Sequence, residues 1–334
     1  MDFKTISRNK GVVEYMNYKN AIDGKTILIT GGTGTIGSTL AKYILSNYKP
    51  KEVRILSSGE YTQCMMRREW EGNSNIEFII GDVRDKERMD EVMKGVDIVI
   101  HTAALKHVHI GVENPTEVIK TNIDGTDNIN NAAIKNNVEK VLFVSSDKAV
   151  YPVNLYGATK MIGEKLTIEA NRGTKTMFSC VRSGNVIGSR GSIVPLFNEQ
   201  KKRGELTITE KDMTRFWLTP LNIVQFIIKS ISLMCGGEIF VPKLPSSDIM
   251  TMAKAIAPDA KIRLLGAQKG ERLHEVLISK EESVHCIEDY DYYVIKDEYG
   301  RSIFATEFEY ASNNKECLLN VKQLKELLRQ SESV

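Results

Sequence analysis

The chain has 334 residues, 42% of them hydrophobic, enough for a large core or a two-lobed unit. Lysine and arginine number 45 against 43 aspartate and glutamate, a formal net charge of +2, so no field attracts nucleic acid or a membrane surface. Five dispersed cysteines, Cys64, Cys180, Cys235, Cys286 and Cys317, lack C-x-x-C spacing and read as reduced thiols of a cytoplasmic protein, with no disulfide framework and no metal site.

No apolar run approaches the roughly 18 residues that span a bilayer. Residues 1–24 lack the apolar stretch of a secretory signal and read as an N-terminal extension, a surface appendage or an interface arm. From there strand-like and helix-like segments alternate. Strands are expected at Lys25–Thr30, Val53–Leu56, Ile76–Ile80, Asp97–His101 and Lys140–Val144, and helices over 35–48, 86–94, 113–136 and 155–171. That alternation predicts a Rossmann-type, doubly wound parallel α/β sheet over residues 25–183. Beyond Ser183 glycine and proline become frequent, and residues 184–334 read mainly as a smaller substrate-binding lobe, part of which returns to the sheet domain. The tail, Leu318 to Arg329, has the pattern of an amphipathic helix.

Gly31, Gly34 and Gly37 lie in TGGTGTIG, directly after the first strand and before the first helix. A tight turn, close backbone approach and a helix N-terminus aimed at a pyrophosphate all require glycine there. NAD(P) binding is therefore expected, with Thr33, Thr35 and Ile36 in the same loop. Asp82 and Val83 follow the third strand; the carboxylate suits an adenine amine or, equally, a helix N-cap. Ala103 and Ala104 end the fourth strand with small side chains, which lets a cofactor approach.

Residues 141–160 read VLFVSSDKAVYPVNLYGATK. Tyr156 and Lys160 are spaced to share one helix face, where a cation near the phenol lowers its pKa from about 10 towards a value useful for proton abstraction. Ser146 ends the preceding strand as a hydroxyl donor. Carbonyl–alcohol redox chemistry needs no more than these, so the adjacent acid and base Asp147 and Lys148 point to further proton transfers.

The segments TGGTGTIG, GDVRDKER, AALKHV, NPTEVIKTN, SSDKAVYPVNLYGATK, GNVIGSRGSIVP, MTRFWLT, GGEIFVPK and GERLHE together resemble the inverting UDP-N-acetylglucosamine 4,6-dehydratases, over about residues 24–280. These are extended short-chain dehydrogenase/reductases of bacterial surface-glycan and flagellin-glycan pathways. The resemblance implies that Tyr156, helped by Lys160 and Ser146, takes the O4 proton as hydride leaves C4. Lys148 then removes the C5 proton, and Asp147 protonates the departing O6. Hydride returns to C6, and C5 is reprotonated from the opposite face, giving a 4-keto-6-deoxy-L-arabino sugar on UDP. It further implies NADP, with NAD as the alternative, and a homo-oligomer between dimer and hexamer. Cofactor contacts are implied for Ser57, Ser58, Thr62, Lys106 and Asn122. Substrate contacts are implied for Lys106, His107, Asn185, Arg190, Val194, Thr209, Arg215, Gln268, Glu271 and Glu275.

Five positions depart from the family pattern. Ser58 and Thr62 stand where the family carries the arginine and lysine that hold the NADP 2′-phosphate. Ser183 replaces the tyrosine of its R-Y-G-N, Gln268 an arginine and His109 a proline. Two other readings remain: a sugar-nucleotide 4-epimerase, which needs no group at C5, and a non-catalytic NAD(P)-binding regulatory protein.

Overall fold

Strand β1 (Thr26–Thr30) is buried along its whole length, as a strand covered by helices on both faces must be. Ile27 and Ile29 point into one core layer with Leu40 and Ile44, while Leu28 points into the other with Val99 and Ile129. This computed structural model describes residues 18–296 and 307–332. A short helix α1 (Lys19–Ile22) leads into β1, and its Ile22 is fully buried in the first layer. The part of the expected extension before Tyr18 lies outside the described residues.

The chain then alternates through α2 (Thr35–Asn47), β2 (Glu52–Ser57), α3 (Glu60–Glu69), β3 (Ile76–Ile80), α4 (Lys86–Val92) and β4 (Ile98–His101). Helices α5 (Val108–Glu113), α6 (Pro115–Ile119) and α7 (Gly125–Lys135) lead to β5 (Lys140–Val144), and α8 (Leu155–Glu169) leads to β6 (Met177–Val181). These six strands are parallel, in the order β3-β2-β1-β4-β5-β6. The expected doubly wound sheet is present, and its order reverses between β1 and β4, where such sheets open a ligand crevice.

Three elements here escaped the sequence pattern, among them the short helix α5. Helix α3 buries only Gln63 and Met66, too thin an apolar stripe to register. Strand β6 (MFSCV) breaks its apolar run with Ser179. The single helix expected over 113–136 contains a π turn at Lys120–Asp124 between α6 and α7, which turns Asn122 into the interior.

The second half serves both lobes. Along it come β7 (Asn185–Val186), α9 (Ile193–Lys201), β8 (Glu205–Ile208), β9 (Thr214–Leu218), α10 (Pro220–Leu233), β10 (Glu238–Pro242), β11 (Ser246–Asp248) and α11 (Ile249–Ile256). They are followed by β12 (Lys261–Leu264), β13 (Val276–Ile278), α12 (Lys280–Ser283), β14 (Cys286–Glu288), β15 (Tyr292–Lys296), β16 (Tyr310–Ala311) and α13 (Val321–Glu332). Strand β10 joins β6 in parallel, and β15 and β14 continue antiparallel, so the main sheet has nine strands. Helix α10 packs Ile223, Val224 and Ile227 into the first core layer. A separate core around Phe197, Trp217, Met252 and Leu324 holds the smaller lobe together. The terminal helix expected over Leu318–Arg329 is α13, docked there through Leu324. No helix among the described residues is long and apolar enough to cross a membrane.

Candidate active site

A cleft of about 1490 Å³ runs from the C-terminal ends of β1 and β2 to the smaller lobe. At one end lies the glycine loop. Gly31 has φ +63°, and a Cβ there would stand 2.8 Å from the Cα of Ala103, so the turn and the small residue after β4 require each other. A Cβ on Gly37 would meet the Gly31 carbonyl at 2.6 Å, so α2 can dock on the loop only without a side chain there. Gly34 caps α2 with extended backbone and no side-chain acceptor, leaving the first-turn amides directed at the cleft. This cradle fits a dinucleotide pyrophosphate.

Around the cradle, Thr33, Thr35, Ile36, Ser57, Ser58, Asp82, Val83, Ala103, Ala104 and Lys106 line the cleft. Asp82 does not cap the next helix; Asp85 does, accepting from Arg88 N, while Asp82 pairs with Arg84 at 2.6 Å. Thr62, expected at a 2′-phosphate, instead donates to the Gly59 carbonyl and lies 3.2 Å from Thr33 Oγ1. Asn122 is also committed elsewhere. Its amide accepts from Leu105 N and donates to Leu105 O and Thr159 Oγ1, pinning the loop after β4 to α8.

The other end of the cleft starts where β5 stops. Ser146 caps a single 3-10 turn, Asp147–Ala149, and Asn154 caps α8 by accepting from Gly157 N. A Cβ on Gly157 would come within 2.3 Å of the Lys148 carbonyl, so this glycine lets α8 pack closely against the Asp147–Ala149 turn. It sits inside Y-G-A-T-K but carries no chemistry of its own, which is why spacing alone passes it over.

The structure corrects the expected partnership of Tyr156 and Lys160. Burial lowers the Lys160 ammonium to about 8, and its Nζ donates to the Val144 carbonyl at 2.7 Å over the Phe143 ring. The cation that acts on the Tyr156 phenol is Lys148. Burial nevertheless pushes that phenol up to about 12, with Asp147 adding to the rise and Lys148 and a hydrogen bond from Ser146 opposing it.

Asp147 is fully buried, its Oδ1 accepting from Ser146 Oγ at 2.6 Å and from Lys148 Nζ at 3.0 Å, and its Oδ2 is without a partner. Burial raises its pKa, Lys148 opposes the rise, and the nearby Glu275 charge reinforces it. Lys148 also reaches Asn185 at 3.3 Å and Glu275 at 3.2 Å. Burial disfavours its charge, but Asp147 and Glu275 outweigh burial and hold it as an ammonium.

Other expected substrate residues divide. His107, Thr209, Gln268 and Glu271 line the cleft, as do Arg215 and Glu275, which face each other at 3.6 Å. Val194 is buried in the smaller lobe's core. Arg190 is exposed and donates to the Thr33 carbonyl at 2.6 Å, which places it over the glycine loop. Sequence reasoning passed over His101, buried at the end of β4 between Thr30 and Thr126 and lowered to about 3 by burial and Lys160. It also missed the buried network in which Arg182 binds both Glu164 of α8 and Glu282 of α12. No cluster of residues suited to a metal occurs among the described residues.

A Rossmann sheet with a glycine cradle at one end of the cleft, and Tyr, Lys and an acid–base pair at the other, defines a short-chain dehydrogenase/reductase-type enzyme fold. A profile of the polysaccharide biosynthesis protein family matches residues 27–297, and the chain belongs to that family. It is 48% identical to the UDP-N-acetylglucosamine 4,6-dehydratase (inverting) of Campylobacter jejuni strain 81-176, over 82% of this chain and 83% of that one. It is also 42% identical to a UDP-glucose 4-epimerase of Rickettsia canadensis, over 91% and 95% of the two chains. Among solved structures, Pen from Bacillus thuringiensis superposes with a TM-score of 0.87 at 36% identity, covering 92% of this chain and 99% of that one.

Proposed function

We propose that the protein is an NAD(P)-dependent sugar-nucleotide 4,6-dehydratase acting on UDP-N-acetylglucosamine with inversion at C5, in the synthesis of surface glycans. The observation that carries this reading is the Asp147–Lys148 pair, with Asp147 fully buried and Lys148 partly so, in the same cleft as Tyr156 and the glycine cradle. A nicotinamide dinucleotide held by the cradle of Gly31, Gly34 and Gly37 would supply the hydride acceptor for C4 and the hydride donor for C6. Tyr156 receives the O4 proton, and Ser146, which acts on the phenol and donates to Asp147 Oδ1 at 2.6 Å, can relay a proton onward to that carboxylate. Asp147, having taken up that proton, gives it to O6 as water departs. The proton leaving O4 is thus the one that departs with O6, and no outside acid is consumed.

The epimerase name of the Rickettsia relative supports a second reading. An epimerase returns hydride to C4 and has no use for a buried acid aimed at C6. Incubation with UDP-N-acetylglucosamine distinguishes the two: dehydration removes the mass of one water, and epimerisation leaves mass unchanged.

Family resemblance favours NADP, whereas Ser58 supplies no charge to a 2′-phosphate; the nucleotide that co-purifies decides. Five free cysteines suit a reducing compartment, and we place the enzyme in the cytoplasm. A homo-oligomer fits the apolar side chains that α6, α7 and α8 leave in solvent, with Ile119, Ile134 and Met161 40%, 37% and 37% exposed.

A further inference from the structure

Residues 266–272 lie between β12 and β13 and wall part of the cleft. Gln268, Lys269, Gly270, Glu271 and Arg272 all line it, as do Asn154 and Tyr156 from the catalytic side. The loop turns on itself, with Glu271 N donating to the Gln268 carbonyl at 3.1 Å and Gln268 N to Glu271 Oε2 at 3.2 Å. These bonds hold its shape but not its place. Among the described residues, one hydrogen bond ties the loop to anything outside it: Asn154 Nδ2 donates to the Gly270 carbonyl at 2.9 Å. Arg272 adds a looser contact, 5.9 Å over the Tyr151 ring.

Asn154 has a second duty. Its Oδ1 accepts from Gly157 N at 2.8 Å and so starts α8, the helix that carries Tyr156 two residues further on. One amide thus spends its acceptor on the catalytic helix and its donor on the loop. The fit is close. Gly270 has φ +86°, and a Cβ on it would stand 3.2 Å from Asn154 Cβ, so glycine lets the loop come this near. We infer, on the sugar-nucleotide reading above, that Asn154 is a positioning residue. Its bond to Gly270 is the catch that closes the 266–272 loop over a bound sugar nucleotide and registers that loop against α8.

A catch of this kind suits a ligand that is exchanged at every turnover. A single neutral hydrogen bond is weak enough to break for product release, yet it offsets part of the cost of ordering the loop while the ligand is bound. Neither Lys269 nor Arg272 forms an ion pair among the described residues, so no stronger tie holds the loop shut.

Asn154→Asp and Asn154→Ser separate the two duties. Both keep an N-cap acceptor for α8, but the carboxylate offers no donor and the shorter hydroxyl does not reach the loop. Asn154→Ala removes cap and catch together. In the holoenzyme, the Asp and Ser variants should be cut by trypsin after Lys269 or Arg272 about fivefold faster than wild type, since cleavage follows the population of the open loop. Their KM for UDP-N-acetylglucosamine should rise about five- to tenfold, with kcat changing less than KM and the urea midpoint staying near the wild-type value. Asn154→Ala should lower kcat and the urea midpoint as well. The assignment is overturned if the Asp and Ser variants are cut at the wild-type rate, if their KM is unchanged, or if they lose as much stability as Ala. Wild type that turns over no UDP-N-acetylglucosamine removes the reading beneath the assignment, while the trypsin rates still judge the catch itself.

Discussion

Tyr156 shows how far side-chain spacing reaches and where it stops. Its position ahead of Lys160 is readable because both must sit on one face of α8. The electrostatics are not, because they depend on Lys148 arriving from the turn after β5 and on Lys160 being claimed by the Val144 carbonyl. With the phenol as the acceptor of the O4 proton, Tyr156→Phe should abolish C4 oxidation and water loss together, by about 10²–10⁴-fold. Stopped-flow absorbance of reduced nicotinamide alongside product mass checks this. Retention of most activity would move the site elsewhere. Asp147 and Lys148 were legible as an acid–base pair. The contact of Glu275 with Lys148 was not, because Glu275 lies more than a hundred residues away and reaches it only through the fold.

At the scale of elements, strands β1 to β5 were legible because each is a short apolar run closed by a turn, whereas parallel β6 was not. The junctions between elements were not. Arg182 at the end of β6 clamps α8 to α12 through paired bonds to Glu164 and Glu282, with distances of 2.6–2.9 Å. Removing the guanidinium leaves buried carboxylates unpaired, so Arg182→Ala should cost about 3–5 kcal/mol in urea unfolding. A loss below roughly 1 kcal/mol would show that the network is relaxed or hydrated.

His101 ties β4 to β1 and α7 and stays neutral, its burial and Lys160 both opposing charge. The unfolded chain binds this proton near pH 6.5, whereas the folded protein does so only at about 3. Unfolded molecules therefore hold more protons throughout that window, and stability falls as pH drops through it, by up to about 1.4 kcal/mol per pH unit from this group. His101→Gln should flatten the acid limb between those values in denaturant titrations. An unchanged slope would assign acid sensitivity to other groups.

For the whole molecule, the sequence pattern carried the sheet class and the position of the cofactor cradle. It did not carry the route of the second half. Strands β10, β14 and β15 return to the main sheet while β7, β8 and β9 build the smaller lobe. Short strands flanked by glycine and proline look alike whichever sheet they join, and only long-range packing separates them. The apolar residues left in solvent on α6, α7 and α8 predict self-association, and light scattering over a range of concentrations should give at least a dimer. A monomer at every concentration would leave those residues without a partner.

The central claim is that one cleft moves a hydride from C4 to C6 while expelling O6, and isotopic labelling tests it most directly. UDP-N-acetylglucosamine carrying deuterium at C4 should yield a product lighter by one water, with the deuterium at C6 and no free reduced nicotinamide accumulating. A sugar of unchanged mass with the deuterium still at C4 would contradict the account and identify an epimerase.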